Sequence, residues 1–260
     1  MAFLHQNDEF NADNRPENIT GIASDMVMHD SGFHSHQKKV QLLYAPSGCM
    51  TVVTPEKQLI LPPSKLLWIP AGEEHRVTFR NVVAYRSVYF SLKYVTENHL
   101  PESIQVLSVN PLLREIIERI CFWPWDMEEK EQRNILSVFK EELRTAPKES
   151  LVFSMPKDVR LQKKVEEWVL RISQPPFLNV LSGEVGAGEK TISRIFIKET
   201  GLSYQEWRLQ WRLHRSIELL SEGKTVGETA FELSFSSDSA FVDFFKKQTG
   251  ATPLQYMLQQ

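Results

Sequence analysis

Two histidines, His34 and His36, lie two residues apart in the segment GFHSHQ of a 260-residue chain that contains seven histidines. On a β-strand, alternate side chains point to the same face, so this spacing brings both imidazoles to one side of a sheet. Imidazole nitrogens bind divalent transition metals. The pair therefore supplies half of a metal site or one wall of a pocket, and the remaining groups must come from other elements.

The composition is typical of a soluble globular protein, and the length favours two domains. Hydrophobic residues make up 42% of the chain and charged residues 24%, and a chain of this size is large enough for two ordinary cores. No apolar run reaches the roughly eighteen residues of a membrane span. The first residues, MAFLHQNDEFNADNR, are too polar and acidic for a secretion signal. We therefore expect a cytoplasmic protein without a membrane partner.

Cysteine content and net charge narrow the function classes further. The two cysteines, Cys49 and Cys121, lack CxxC spacing, so neither a disulfide framework nor a zinc finger is predicted. The net charge of −3 gives no indication of nucleic-acid binding. Any prediction of DNA binding must therefore rest on the residue pattern rather than on bulk charge.

The chain from about residue 22 to residue 109 reads as short strands separated by turn residues. The strand-like segments are VQLLYA, CMTVVT, QLILP, KLLWIP, HRVTF, YRSVYFSL and SIQVLSV. Each is rich in Val, Ile, Leu or aromatic residues, and the links contain Pro, Gly, Asn or Ser. Many short strands without intervening helices predict an antiparallel barrel or sandwich.

Two amphipathic helices are predicted between residues 110 and 145. Asn110 and Pro111 form a helix start, and the apolar faces repeat at helical spacing. These faces comprise Leu113, Ile116, Ile117 and Ile120 in the first helix and Ile135, Leu136, Phe139 and Leu143 in the second. The helices form a hairpin that either packs on the sheet or dimerises the protein, and the sequence leaves both roles open. Residues 146–157 contain two prolines and no clear periodicity, which predicts a linker.

An internal repeat organises the part of the chain from residue 158 to residue 260. Shifted by 49 residues, ISRIFIKETGLSYQEW (192–207) lies over FVDFFKKQTGATPLQY (241–256), and each copy follows a short helix and a tight turn. This order predicts two helix-turn-helix units, at about 178–201 and 225–250. The matched pairs include Phe196 with Phe245, Thr200 with Thr249, Gly201 with Gly250, Ser203 with Thr252, and Trp207 with Tyr256.

The residues at the ends of these segments agree with helix boundaries. Thr225 with Glu228 and Ser203 with Glu206 have the spacing of capping boxes, and a glycine follows the second helix of each unit. The helix that joins the units carries Arg208, Arg212 and Arg215 at spacings that form one cationic face, which either contacts phosphate or is merely solvated. Two units on one rigid connector could enter successive major grooves about 34 Å apart.

The segment TISRIFIKETGLSYQEWRLQWRLHRSIELLSEG, followed by SFSSDSAFVDFFKKQTGATPLQY, resembles the DNA-binding domain of AraC/XylS-type bacterial transcription regulators. The resemblance covers roughly residues 158–257, and both units match in order and spacing. Three positions depart from the family pattern. Ser234 stands at a usual glycine, Gly188 at a usual small or hydroxyl cap residue, and Thr229 at a usual aliphatic.

The resemblance implies that the second helix of each unit faces a DNA groove. The implied groove residues are Lys190, Ser193 and Arg194 in the first unit and Ser237, Asp238, Ser239, Val242 and Asp243 in the second. Arg194 is expected to contact guanine, with about 1–3 kcal/mol of discrimination. Asp243 either accepts from a cytosine amine or pairs with Lys247, so the first unit is expected to carry most of the base readout. The predicted DNA-binding set also contains Lys198, Arg208, Arg212, Arg215 and Lys246.

The segments GFHSHQKKVQLLYAPSG and IPAGEEH resemble the two motifs of the cupin barrel. The first motif ordinarily offers two histidines and a glutamate, and the second offers a further histidine. The resemblance implies a site formed by His34, His36 and His75, with Gln41 near the glutamate position. Such a site would hold a divalent transition metal such as Zn, Ni or Cu. The alternative is a pocket without metal that binds a small organic effector.

The sequence therefore predicts a two-domain α+β protein that regulates transcription and is not an enzyme. An effector in the first domain would control how the second domain reads double-stranded DNA, in a homodimer that could also contact RNA polymerase. The predicted parts are a cupin-like antiparallel β-barrel (1–109), a helical hairpin (110–145), a linker (146–157) and an all-α DNA-binding domain with two helix-turn-helix units (158–260). Two alternatives stay open, namely a metal-dependent cupin enzyme and an architectural DNA binder whose barrel only dimerises. The effector, the operator and the direction of regulation are left open.

Overall fold

The computed structural model describes residues 3, 10–26, 29–55, 57–79, 83–149, 152–170 and 173–258. The chain divides into two compact units. The first contains Met1–Thr54 and Ile60–Leu151, and the second contains Pro55–Leu59 and Val152–Leu258. The first unit is built mainly on strands and the second mainly on helices, so the predicted two-domain α+β class is confirmed at this level.

The strands form two antiparallel sheets. They are β1 (Ile19–Met26), β2 (His29–Asp30), β3 (Lys39–Tyr44), β4 (Met50–Val53), β5 (Lys57–Leu61), β6 (Lys65–Ile69), β7 (Arg76–Phe79), β8 (Val83–Ser91), β9 (Gln105–Ser108), β10 (Lys148–Glu149) and β11 (Val152–Ser154). One sheet has the order β1-β8-β3-β6-β9-β10, and the other has the order β11-β5-β4-β7-β2. In the described ranges the ladders do not join into the closed barrel that the sequence predicts. The edge strands β2 and β10 are two residues long, which leaves few backbone groups to bridge the sheets.

Two helices cover the six-stranded sheet, α2 (Pro111–Cys121) and α3 (Glu129–Thr145). The Asn110 side chain accepts a hydrogen bond from the Leu113 amide at 2.8 Å, and Pro111 occupies the first turn, as the sequence indicates. Their apolar faces join one core with β1, β3, β6 and β8. These helices therefore pack on the sheet, which is one of the two roles that the sequence leaves open.

Helix α2 packs closely against β1 at Gly21. A Cβ added at Gly21 would lie 2.3 Å from the carbonyl oxygen of Ile120, so only glycine fits this position without movement of the backbone. The Gly21 carbonyl oxygen accepts a hydrogen bond from Trp125 Nε1 at 2.9 Å. This glycine thus fixes how near the helix lies to the sheet.

The predicted linker differs from the structure. Within residues 146–157, β10 pairs with β9, and β11 pairs with residues 57–59 of β5. Phe153 of β11 and Trp207 both belong to the second unit; Phe153 is buried, and the two ring centres are 4.6 Å apart. Three-residue strands lie below the length at which sequence periodicity can be read. A short helix α1 (Leu92–Glu97), started by the Ser91 side chain, is also absent from the sequence prediction.

The second unit contains seven helices among its described residues. They are α4 (Gln162–Val169), α5 (Leu178–Val185), α6 (Glu189–Thr200), α7 (Tyr204–Ser221), α8 (Val226–Glu232), α9 (Asp238–Thr249) and α10 (Pro253–Leu258). Leu161, which precedes α4, and Trp168, near its end, are buried in the core of this unit. Within the described ranges, no helix is long and apolar enough to cross a membrane.

The 49-residue repeat has a physical counterpart in the second unit. Helices α6 and α9 begin and end at positions that the shift relates, and each stops at a glycine with positive φ, Gly201 at 77° and Gly250 at 80°. The same aromatic pair recurs, with ring centres 5.1 Å apart for Phe196 and Trp207. The corresponding distance is 5.4 Å for Phe245 and Tyr256. The two copies therefore share both their helix boundaries and their core contacts.

Candidate functional site

The first candidate site is formed by His34, His36 and His75, which we call the three-histidine cluster. His34 and His75 exchange two backbone hydrogen bonds of 2.9 Å, which hold the loop before β3 against the residue that precedes β7. The ring centres are 4.4 Å apart for His34 and His75, 5.2 Å for His34 and His36, and 5.7 Å for His36 and His75. One ring nitrogen from each residue lies within 4.8 Å of the others.

His34 and His36 do not lie on the common strand that their spacing suggests, but their rings do come together. His34 makes only an isolated bridge, His36 lies in the following loop, and β3 begins at Lys39. The loop bends here because the Asp13 carboxylate accepts hydrogen bonds from two successive amides, those of Gln37 at 2.7 Å and Lys38 at 3.0 Å. The rings therefore meet through loop geometry rather than through strand alternation.

Backbone carbonyls fix the orientation of two rings in the three-histidine cluster. His34 Nδ1 lies 3.1 Å from the Gly32 carbonyl oxygen, and His75 Nδ1 lies 2.9 Å from that of Glu73. A carbonyl oxygen only accepts hydrogen bonds, so in a neutral ring the proton is on Nδ1 and the lone pair is on Nε2. Metal-binding histidines are commonly held in this way by a partner on the other nitrogen.

The inner part of the cluster is buried and short of hydrogen-bond partners. The Nε2 atoms of His36 and His75 are buried and have no hydrogen-bond partner within the described part of the chain. Burial lowers the pKa of each of these imidazoles to about 4, and repulsion from His34 adds to the shift. A buried polar atom without a partner costs about 1–3 kcal/mol. Two buried Nε2 atoms without partners in one cluster indicate a site where a bound ligand would supply the missing interactions.

Gln41, on β3, supplies the fourth polar side chain at this point. Its Nε2 lies 3.0 Å from both Ser87 Oγ and Tyr89 Oη on the neighbouring strand β8. Its Oε1 is buried and without a partner among the described residues. The ring of Tyr89 lies 5.0 Å from that of His36. The amide is therefore held by its nitrogen beside the cluster.

The donor set fits a transition metal better than a harder cation. Three imidazole nitrogens and one amide oxygen suit Zn, Ni or Cu, whereas Mg and Ca prefer sets rich in carboxylates. Within the described ranges, no carboxylate or thiol belongs to the cluster. Asp13, whose charge raises the pKa of His36, binds the two backbone amides, and Asp30 pairs with Arg76.

The second candidate site is the outer face of α6. Ile192, Ile195 and Phe196 are buried, which turns the opposite face of the helix outward. On that face Lys190, Arg194 and Lys198 are exposed, and Ser193 is half-buried. The structure therefore brings the residues predicted for the first helix-turn-helix to one face of α6, as the buried stripe on the opposite face indicates.

The corresponding face of α9 is less basic. Asp238, Ser239, Asp243 and Lys246 are exposed and Val242 is half-buried. Ser237 is the N-cap of α9, and its hydroxyl accepts a hydrogen bond from the Ala240 amide at 3.1 Å. Asp238 lies against α8, because a Cβ added at Gly227 would be 3.2 Å from its carboxylate. Two of these predicted contact residues thus also serve the helix start.

The three arginines of α7 do not form a free cationic face. Arg208 Nε donates to the Pro175 carbonyl oxygen at 2.7 Å, and Arg212 Nη2 donates to that of Leu233 at 2.6 Å. Burial lowers the pKa of Arg212 to about 10, with a smaller effect from Arg208. Arg215 forms ion pairs with Glu218, Glu222 and Glu232 at 3.1, 3.6 and 2.9 Å. Phosphate contact by these arginines stays a prediction, and each has a partner within its own unit.

Comparison with known proteins gives two family matches. A model described as an AraC-like ligand binding domain matches residues 18–142, and one described as a helix-turn-helix domain matches residues 181–259. The HTH-type transcriptional regulator NimR of Escherichia coli (strain K12) is 29% identical over 87% of this chain and 82% of its own length. The virulence regulon transcriptional activator VirF of Yersinia enterocolitica is 26% identical over 75% of this chain and 73% of its own length.

Among solved structures, the chain is similar to ToxT from Vibrio cholerae. The sequences are 12% identical, and the superposition covers 93% of this chain and 98% of that chain with a TM-score of 0.37. The two family matches place a ligand-binding domain before a helix-turn-helix domain, in the order of the two candidate sites.

Proposed function

Because this chain belongs to the AraC family of transcription regulators, we propose that it binds DNA under the control of an effector, and that each of the two candidate sites serves one of these functions. The first unit would bind the effector at the three-histidine cluster, and the second unit would read DNA. The protein acts on gene expression rather than on a substrate, and its place of action would be the cytoplasm, where its DNA partner lies. The observation that carries the proposal is the basic, exposed face of α6 with its buried opposite face.

Two helix-turn-helix units would contact DNA, formed by α5 with α6 and by α8 with α9. The shared boundaries of α6 and α9 and the repeated aromatic pair support a duplicated unit. Arg194 and Lys190 give the helix-turn-helix of α5 and α6 most of the base readout, since Arg binds guanine with two hydrogen bonds. The exposed carboxylates of Asp238 and Asp243 make the helix-turn-helix of α8 and α9 the weaker DNA-binding element, because carboxylates repel phosphate.

The three-histidine cluster would hold a divalent transition metal, with Gln41 as a neutral fourth ligand. Support comes from the buried, unpartnered Nε2 atoms of His36 and His75 and from the carbonyls that orient the rings. The metal would supply a fixed positive charge and a binding point within the sensing unit. Gln41 stands near the position of the glutamate in the first cupin motif, and the loss of this carboxylate favours a sensing role over catalysis.

The effector would act by a shift between populations of regulator states. Two copies of the chain would bind one operator, and contact with RNA polymerase would follow from that arrangement. Leu112 and Val138, on α2 and α3, are exposed at 51% and 39% and offer apolar surface for the dimer.

The test is footprinting of the full-length protein on DNA that flanks its own gene, with and without Zn²⁺ and over a range of salt concentrations. We expect one protected region, an affinity that falls steeply with salt because phosphate contacts release counterions, and a change in affinity on adding the metal. Lys190→Ala is expected to weaken protection, whereas Lys93→Ala, at an exposed lysine of the first unit, serves as the matched control. Equal protection of all DNA would instead support an architectural role.

A further inference from the structure

We propose that the effector of the first unit is a small oxyanion, such as a carboxylate, that completes the coordination of a metal ion at the three-histidine cluster. This inference rests on the metal-binding role proposed above and names the ligand class that it would serve. The structural basis is that every donor aimed into the site is electrically neutral.

The first step concerns the charge of the imidazoles. The Nδ1 atoms of His34 and His75 face carbonyl oxygens, which leaves Nε2 as the nitrogen with which each ring would bind a metal, and an imidazole nitrogen is a neutral ligand. His36 also has a buried Nε2 without a partner in the described residues. Three neutral nitrogens leave the full double charge of a divalent ion in place.

The second step concerns Gln41, which stands where a carboxylate would remove one unit of that charge. Its amide nitrogen is held by Ser87 and Tyr89 on β8, so its oxygen is the end left for the site. Burial raises the pKa of Tyr85 and of Tyr89 above the ordinary value of a phenol, so both side chains are neutral at neutral pH. The Gln41 oxygen is therefore a fixed but uncharged fourth ligand of the proposed metal site.

The third step concerns the surrounding charges. The Asp13 carboxylate is engaged by the amides of Gln37 and Lys38, next to His36 in the chain. Asp30, near the His34 loop, is paired with Arg76 through two hydrogen bonds. A divalent ion at the cluster would therefore keep a net positive charge in a partly buried setting, which is costly unless an anion compensates it.

The fourth step concerns access. His75 is fully buried, whereas His34 and His36 are half-buried, so the cluster is open on the side of the loop 32–38. A ligand reaching the metal from this side needs one or two oxygen atoms and a negative charge. A small carboxylate or hydroxamate has these properties, and a neutral amide of the same shape lacks the charge.

The experiment uses the full-length chain loaded with Co²⁺, whose visible absorption reports its ligands. We expect one Co²⁺ per chain. Titration with acetate and with acetohydroxamate is expected to change the spectrum with a saturable response, and acetamide, the neutral analogue of acetate, is expected to leave it unchanged. An equal response to acetate and acetamide would overturn the inference, because charge would then not decide binding.

A variant pair isolates the role of Gln41. Gln41→Glu supplies the missing carboxylate, so we expect tighter Co²⁺ binding and at least tenfold weaker acetohydroxamate binding. Gln105→Glu adds the same charge on β9, outside the cluster, and is expected to leave both affinities unchanged. Undiminished anion binding in Gln41→Glu would contradict the inference, and the comparison of acetate with acetamide in the unaltered chain decides it if this variant does not fold.

The outcomes separate this inference from the proposal on which it rests. Failure to bind Co²⁺ at one ion per chain would overturn both the metal site and the anionic effector. Stoichiometric Co²⁺ binding with a spectrum that no anion changes would retain the metal site and overturn the anionic effector alone. Neither outcome bears on DNA binding by α6.

Discussion

The guanidinium of Arg212 lies 3.7 Å from the centre of the Phe235 ring, and its Nη2 donates to the Leu233 carbonyl oxygen. Arg212 belongs to α7, and Phe235 lies in the turn between α8 and α9. Arg208, one turn earlier on α7, stacks over Phe177 at 4.3 Å in the same way, just before α5. Through these two arginines, α7 contacts the residue before α5 and the turn between α8 and α9. The arginines therefore help to position both helix pairs.

Replacing Arg212 by lysine should separate that role from phosphate contact. Lysine keeps the charge but lacks the planar group that stacks and donates in two directions. We expect a loss of about 1 kcal/mol in the unfolding free energy of the second unit and weaker DNA binding, with an unchanged slope of affinity against salt. Chemical denaturation and salt-dependent binding measure the two effects. Normal stability in Arg212→Lys, together with a salt slope reduced by about one in Arg212→Ala, would restore the phosphate role.

Ser234 is the departure from the family pattern with the clearest structural consequence. Its φ is 57°, in the left-handed region that favours glycine. A non-glycine residue pays roughly 1–2 kcal/mol in this conformation. Ser234→Gly is therefore expected to raise the melting temperature of the protein, and calorimetry measures the change. Ser236→Gly, two residues later in the same turn, is the control, and an equal rise in both variants would contradict the explanation by backbone strain.

Gly21 should tolerate no side chain. In Gly21→Ala the new Cβ would lie 2.3 Å from the Ile120 carbonyl oxygen, so α2 must move away from β1. Overpacking of this kind costs about 1–3 kcal/mol. Gly183→Ala is the matched control. Gly183 lies in α5, and a Cβ added there would meet no atom within 4 Å. Denaturant unfolding is expected to show a loss for the first variant and no loss for the second. Equal stability of Gly21→Ala and the unaltered chain would contradict the close approach.

The features that the sequence predicts well are those determined by local spacing. The 49-residue repeat relates the ends of α6 to those of α9, and the capping boxes at Ser203 and Thr225 are both present. The burial of Ile192 and Phe196 follows from helical periodicity alone, and it turns Arg194 outward. Such features depend on a few neighbouring residues, whose preferences the fold does not override.

The features that the sequence does not predict depend on partners far along the chain. The spacing of Arg208, Arg212 and Arg215 shows that they share a face, but not that Phe177, Phe235 and Glu232 cover it. Likewise, the resemblance to the cupin motifs brings in His75, whereas the carbonyls of Gly32 and Glu73 that orient the rings follow only from the folded loops. The short strands β10 and β11 form by backbone pairing with the edges of the two sheets, and no hydrophobic periodicity of their own predicts them.

Base-specific binding through α6 is tested most directly by comparing Arg194→Ala with Lys198→Ala on the protected operator and on single-base variants of it. Both side chains are exposed on α6, so neither change should affect folding. We expect Arg194→Ala to lose about 1–3 kcal/mol of discrimination at one base pair. Lys198→Ala is expected to weaken binding to all sequences alike and to reduce the salt slope by about one. Full discrimination at every base pair in Arg194→Ala would contradict base readout by this helix.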